Sequence, residues 1–156
     1  MKNLRPAESG FTLAELMVVV VVLGILATIA IPSFQSLTQS QQVKNASFEL
    51  FSSLSLARSE AIKRNGNVTL TPANTADWGQ GWAITSAGGQ SIKSQAALKG
   101  VVITLGPANV VYERTGRAAA GVFQIDVSPV NTNIRRCINI GLSGMPRSTK
   151  TSGACT

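Results

Sequence analysis

The sequence predicts an α+β protein in which a long N-terminal helix, its first half apolar enough to cross a membrane, packs on a C-terminal antiparallel β-sheet domain. Three observations carry this. Residues 10–31, GFTLAELMVVVVVLGILATIAI, hold a single charge, Glu15. Beyond Pro32, apolar residues recur at three- and four-residue steps as far as Ala61. From Val68 onward, short apolar runs alternate with clusters of Gly, Pro, Asn and Ser.

The apolar run comes first because it sets the topology. Phe11 to Ile31 spans about 32 Å at 1.5 Å per helical residue, matching a hydrocarbon core of about 30 Å. It is longer than the apolar stretch of a secretory signal, and no small-x-small cleavage site follows it. Lys2 and Arg5 precede it. The positive-inside rule therefore keeps the N-terminus in the cytoplasm and puts the rest of the chain outside the inner membrane. A plain N-terminal anchor meets these criteria too. Glu15 does not suit one, since a carboxylate at mid-helix depth costs roughly 2.5–3.5 kcal/mol on insertion scales.

Val43, Ala46, Leu50, Leu54, Ala57 and Ala61 form a stripe facing a core, with Ser40, Gln41, Lys44, Asn45, Ser52 and Ser59 mostly on other faces. Lys63-Arg64 followed by Asn65-Gly66 is a helix C-terminus. One helix is thus expected over about residues 12–64, kinked near Pro32. Strands are expected at Val68–Thr71, Gly81–Thr85, Val101–Leu105, Val110–Glu113, Val122–Val127 and Cys137–Leu142. Thr115-Gly116 reads as a turn between two strands, and the polar segment 86–99 as a loop.

Composition narrows the chemistry. The 156 residues include 14 Lys plus Arg, 7 Asp plus Glu and no histidine. Without histidine the commonest general base and metal ligand is missing. No nucleophile has an evident base, so neither an enzyme, a metal nor a cofactor is expected. Cys137 and Cys155 are the two cysteines. An even count outside the inner membrane predicts a disulfide between them, the alternative being two free thiols.

Gly10-Phe11-Thr12-Leu13-Ala14-Glu15 resembles the processing signal of type IV prepilins and type II secretion pseudopilins. The resemblance implies a leader, residues 1–10, that prepilin peptidase removes between Gly10 and Phe11, with N-methylation of Phe11. It implies a membrane and filament-core helix over 11–37 and a periplasmic pilin domain over 38–156. Glu15 and Pro32 match the family's assembly glutamate and helix-kinking proline. The new ammonium at Phe11 lies one turn from Glu15. Glu15 could pair with it, or with the N-terminus of a neighbouring subunit, the role the resemblance implies. Expected partners are other major and minor pilins or pseudopilins, prepilin peptidase and the inner-membrane assembly platform.

Further elements are similar to the FimT/FimU–GspH minor pilin family. They are Leu56-Ala57-Arg58-Ser59-Glu60-Ala61-Ile62-Lys63-Arg64-Asn65 with Val68-Thr69-Leu70, then Trp78-Gly79-Gln80-Gly81-Trp82, then Tyr112-Glu113-Arg114-Thr115-Gly116-Arg117. The type IV pilin fold follows as an expectation. Arg58 and Glu60 read as structural charges, Trp78 and Trp82 as core or rim packing, and Arg117 as exposed. FimT-type members that bind incoming DNA carry G-R-x-R in the tail. Here Gly144-Met145-Pro146-Arg147 keeps the glycine and the last arginine. Arg135, Arg136, Arg147 and Lys150 are the candidate DNA contacts, with Arg147 and Lys150 on a loop tethered by the disulfide. The alternatives are a solvated basic face or a contact with another minor pilin. Two machines fit the whole reading. One is a type IV pilus, with this chain in the filament or its initiating tip. The other is a type II secretion system, with this chain as a GspH-like pseudopilin.

Overall fold

The computed structural model of the protein describes residues 11–74, 77–128, 130–131 and 133–156. The chain divides into two compact units, one ending at Leu37 and the other running from Thr38 to Thr156. Helix α1 (Leu13–Arg64) enters both, with Pro32 inside it.

In the first unit the large apolar side chains of α1 are exposed, from 48% for Val19 to 76% for Leu13. It is the one described helix long and apolar enough to cross a membrane. A surface of that kind is stable only against lipid or other protein.

In the second unit α1 buries the stripe read from the sequence: Val43, Ala46, Leu50, Leu54, Ala57 and Ala61 are each at most 3% exposed. Ser47 and Ser53 are buried among them. The helix stops at a two-bond cap. Gly66 N–H donates to the Ala61 carbonyl and Asn65 N–H to that of Ile62, both at 3.2 Å, with Asn65 left-handed at φ 50°. Glu60 pairs with Arg64 at 2.6 Å and with Lys63 at 3.7 Å, so the two basic residues sit where the helix dipole favours them.

Two four-stranded antiparallel sheets follow. One has the order β3-β2-β1-β5, with β1 Val68–Asn74, β2 Asp77–Ser86, β3 Ser91–Gln95 and β5 Val110–Tyr112. The other has the order β4-β6-β7-β8, with β4 Val101–Leu105, β6 Gly121–Val127, β7 Arg135–Ile140 and β8 Pro146–Thr151. The six expected strands are present. Two more correct the sequence reading. Segment 86–99, expected to be a loop, contains β3, whose only large apolar residue is Ile92. Residues 146–151, expected within a tethered loop, form edge strand β8. Neither shows a strong alternating apolar pattern, because an edge strand that covers little core needs none. Pro146 opens β8, where a missing N–H is tolerated. The Thr115-Gly116 turn is present and returns the chain to a single bridge, Tyr112 with Ala118, rather than to a second strand.

Helix and both sheets share one core. Trp78 and Trp82 lie four residues apart on one face of β2, 0% and 1% exposed. Trp78 meets Phe123 of β6 edge-on with centroids 4.9 Å apart, and its Nε1 donates to the Pro107 carbonyl at 2.7 Å. Gly81 between the tryptophans has φ 97°, and a Cβ there would stand 2.2 Å from the Gln95 carbonyl oxygen. The glycine of the W-x-x-G-W element therefore admits the end of β3.

Arg135, Cys137 and Asn139 point to the outer face of β7, and the C-terminal residues lie over them. Cys137 is bonded to Cys155, as expected. Cys155 N–H donates to Gln124 Oε1 at 3.2 Å, and Asn139 Nδ2 to the Thr156 carbonyl at 3.4 Å. Beneath the tail, Arg135 Nε donates to Asp126 Oδ1 at 2.6 Å and its Nη1 to the Gly153 carbonyl at 3.0 Å. Thr104 and Gln124 donate to the other Asp126 oxygen. Burial alone would raise the Asp126 carboxyl; the bonds from Arg135, Gln124 and Thr104 outweigh it and hold the group below the usual carboxylate range.

Two outcomes follow from this packing. Since the Asp126 pKa is depressed on folding, its contribution is full above the unfolded-state value and is lost as pH falls through the folded one. Thermal melts should show stability declining as pH drops below about 4, an unfolded aspartate's range. Asp126→Asn should flatten that decline while costing about 3–5 kcal/mol at neutral pH, because Arg135 is left buried and unpaired. Gly81→Ala should destabilise by at least about 1–3 kcal/mol in denaturant titrations, from left-handed strain plus the clash with β3.

Candidate assembly and nucleic-acid surfaces

At the start of α1, Thr12 and Glu15 cap the helix reciprocally. Glu15 N–H donates to Thr12 Oγ1 at 3.3 Å, while the Thr12 N–H and hydroxyl donate to Glu15 Oε2 at 3.0 and 2.9 Å. This is the T-x-x-E box, which satisfies two donors that a helix start otherwise leaves unpaired. The spacing was legible in Thr12-Leu13-Ala14-Glu15, yet the sequence reading gave the carboxylate only an ammonium partner. A carboxylate offers about four acceptor positions, so the box leaves Glu15 room for a further donor. Phe11 precedes the box and is exposed. Gly10, and with it the expected cleavage junction, lies outside the described residues. Thr28 turns its hydroxyl back onto the Ile25 carbonyl at 2.7 Å, which keeps it satisfied within the apolar run.

The four cations read as one basic surface occupy three environments. Arg135 is a correction: it is 9% exposed and bound to Asp126, so it is spent on structure and not open to a phosphate. Arg136 and Lys150 are cross-strand partners on β7 and β8. Both line a cleft with Ser40 and Val43 of α1, on the face toward the helix. Arg147, three residues before Lys150, alternates to the outer face and is exposed. A strand's two-residue period separates what proximity in sequence had joined.

The other family elements are brought together. Arg58 Nε donates to the Gly116 carbonyl at 3.0 Å, tying α1 to the β5 turn. Tyr112 is fully buried beside it, and burial pushes its hydroxyl up to about 12, against a smaller lowering by Arg58. A Cβ on Gly144 (φ 74°) would stand 2.0 Å from the Gly116 oxygen, so the Gly141–Gly144 turn packs on the β5 turn. Arg58 and the tryptophans thus have structural roles, and Glu60 pairs along its own helix. Arg117 is exposed. No group of three or more candidate metal ligands occurs among the described residues.

Residues 46–144 match the family described as Type II transport protein GspH, and residues 5–31 the Prokaryotic N-terminal methylation motif. A fimbrial protein of Pseudomonas aeruginosa is 45% identical over 71 residues, 44% of this chain and 46% of that protein. A type IV major alpha-pilin of Moraxella bovis is 48% identical over 44 residues, 28% of each. The chain thus spans about half the length, or less, of these curated relatives. Among solved structures, the type IV minor pilin FimU of Pseudomonas aeruginosa superposes with TM-score 0.65 at 19% identity, over 76% of this chain and 96% of that one. The minor pseudopilin EpsH from the type 2 secretion system of Vibrio cholerae gives 0.57 at 14%, over 72% and 99%. These identities speak for the fold. With the family match covering more than half of its length, the chain belongs to the GspH family, with the type IV pilin fold shared by the minor pilins of type IV pili and the minor pseudopilins of type II secretion.

Proposed function

We propose that this chain is a minor pilin of a type IV pilus, entering the filament or its initiating tip. Prepilin peptidase removes residues 1–10 and Phe11 is N-methylated. Residues 11–37 then hold the protein in the inner membrane, with 38–156 in the periplasm, until the assembly platform passes it to other pilins. The observation that carries this is the first half of α1, which exposes its apolar side chains around a single capped carboxylate. Such a helix needs lipid before assembly and neighbouring helices after it. The fimbrial names of the curated relatives support the pilus; the GspH family match supports the alternative, a minor pseudopilin of type II secretion.

A second reading keeps DNA as a ligand. Arg147 and Lys150 are both exposed on opposite faces of edge strand β8, with Arg136 beside Lys150, so a strand of DNA would have to pass over the sheet edge to meet all three. Arginine suits phosphate contact, and several such contacts give sequence-independent, salt-sensitive binding.

Glu15→Ala should leave membrane insertion and cleavage intact but lower incorporation into filaments by about tenfold or more, equivalent to 1.4 kcal/mol of subunit contact; immunoblots of membrane and sheared-filament fractions measure it, and normal incorporation would refute the assembly role. Deleting the gene should impair twitching with exoprotein secretion intact, and a secretion defect alone would favour the pseudopilin. For DNA, gel shifts of the detergent-solubilised chain should weaken for Arg147→Gln with Lys150→Gln, with the log–log salt slope reduced by about two.

A further inference from the structure

We infer that a groove between α1 and strands β7 and β8 docks a segment of a different protein that carries side-chain carboxylates next to an apolar anchor. The inference concerns the second unit alone and holds whichever machine the chain serves. The groove encloses about 400 Å³, within the roughly 300–1,000 Å³ of recognition pockets. On α1 it is lined by Lys44, Phe48 and Phe51, at steps of four and three residues, which form a second stripe beside the core stripe. Across from them stand Arg136 and Ser148. The hydroxyls of Ser47 and Ser148 meet at 2.8 Å and join helix to strand.

The groove is chemically two-ended. Toward residue 40 of the helix, Lys44 and Arg136 line it, and Arg136 is shared with a smaller cleft formed with Ser40, Val43, Ile134, Arg135 and Lys150. Toward residue 51 it presents two phenylalanines, and Phe48 is 66% exposed. None of Lys44, Arg136 and Lys150 makes an ion pair among the described residues, whereas Glu49, Glu60 and Asp126 each have a cation of their own. An apolar side chain on the phenylalanines, with a carboxylate a few residues away at the cationic end, satisfies both ends. Aromatic and arginine anchors are where interface energy concentrates.

Charge decides against a second copy as occupant. The chain is +7 with only 7 acidic residues. Of the remaining ones, Asp77 accepts from the Gly79 N–H and Glu113 from Thr115. A copy therefore brings more cations than carboxylates to the groove. The two-ended layout also suits a peptide better than a nucleic acid, whose phosphates recur along the whole strand and would meet cations at one end only.

The test is fluorescence anisotropy of the full chain in detergent micelles with a labelled synthetic peptide in which aspartates flank phenylalanine and leucine. Two further probes are the same peptide with asparagine for aspartate, and an oligodeoxythymidylate. The acidic peptide should bind and the amide version should not. Phe48→Ala and Arg136→Gln should each weaken binding by about tenfold or more, with Arg117→Gln, on the β5 turn outside the groove, unchanged. Lys44→Gln repeats the charge test on the exposed face of the helix, so that a variant with altered melting does not decide the matter. Equal affinity for acidic and amide peptides, or full affinity in Phe48→Ala, overturns the proposal. Oligonucleotide binding that falls with Phe48→Ala overturns it as well and gives the groove to nucleic acid.

Discussion

The second unit depends on getting two tryptophans out of water. Aromatic side chains dominate burial energetics, and here they also fix how the two sheets meet. Trp78 reaches from β2 to Phe123 on β6, and its indole N–H is met by the Pro107 carbonyl in the link to β5. The chain makes room at each approach. A Cβ on Gly106 would lie 2.7 Å from the Trp78 ring, and Gly81 admits the backbone that follows β3. Trp82 sits 6.3 Å from Trp78 and shares the same pocket. The W-x-x-G-W element is in this sense a packing device: two large rings and the small residue that lets the neighbouring backbone close over them.

Elements with a strong periodic demand were legible in the sequence, and those without one were not. The buried stripe from Val43 to Ala61 is visible because a helix on a core must repeat its apolar positions every turn. The β1, β4, β5 and β6 runs are visible because both their composition and their bounding turns are strand-like. Strands β3 and β8 lie at sheet edges with polar sequences, and only pairing with β2 and β7 makes them strands. The same gap hides the layout of the tail. Without β8 there is no alternation to separate Arg147 from Lys150, and without the fold of the C-terminus there is no reason to bury Arg135. The partner of Arg135 is Asp126, nine residues back and one strand over.

The two units solve opposite problems with one helix. From Leu13 to Leu37, α1 exposes its large apolar residues, while the Thr12–Glu15 cap and the Thr28 back-bond satisfy polar groups locally. From Val43 onward it buries one stripe of small and branched residues and shows polar ones elsewhere. Under the proposed pilin role the two halves serve one purpose, a subunit whose helix moves from lipid to neighbouring helices.

Strand β8 sorts positive charge by parity: even positions, Ser148 and Lys150, look toward the helix, and odd ones, Arg147 and Thr149, look away. A slip of a single residue against β7 would exchange them, moving Arg147 into the groove and Lys150 out of it. Polar edge strands specify their register weakly, and this one has little apolar surface to hold it. The covalent link from Cys137 to Cys155 adds to the Ser47–Ser148 bond, because only three residues separate the end of β8 from the bonded cysteine. The disulfide therefore restricts such a slip. What it favours is one of the two electrostatic faces that the same amino acids would display in the two registers.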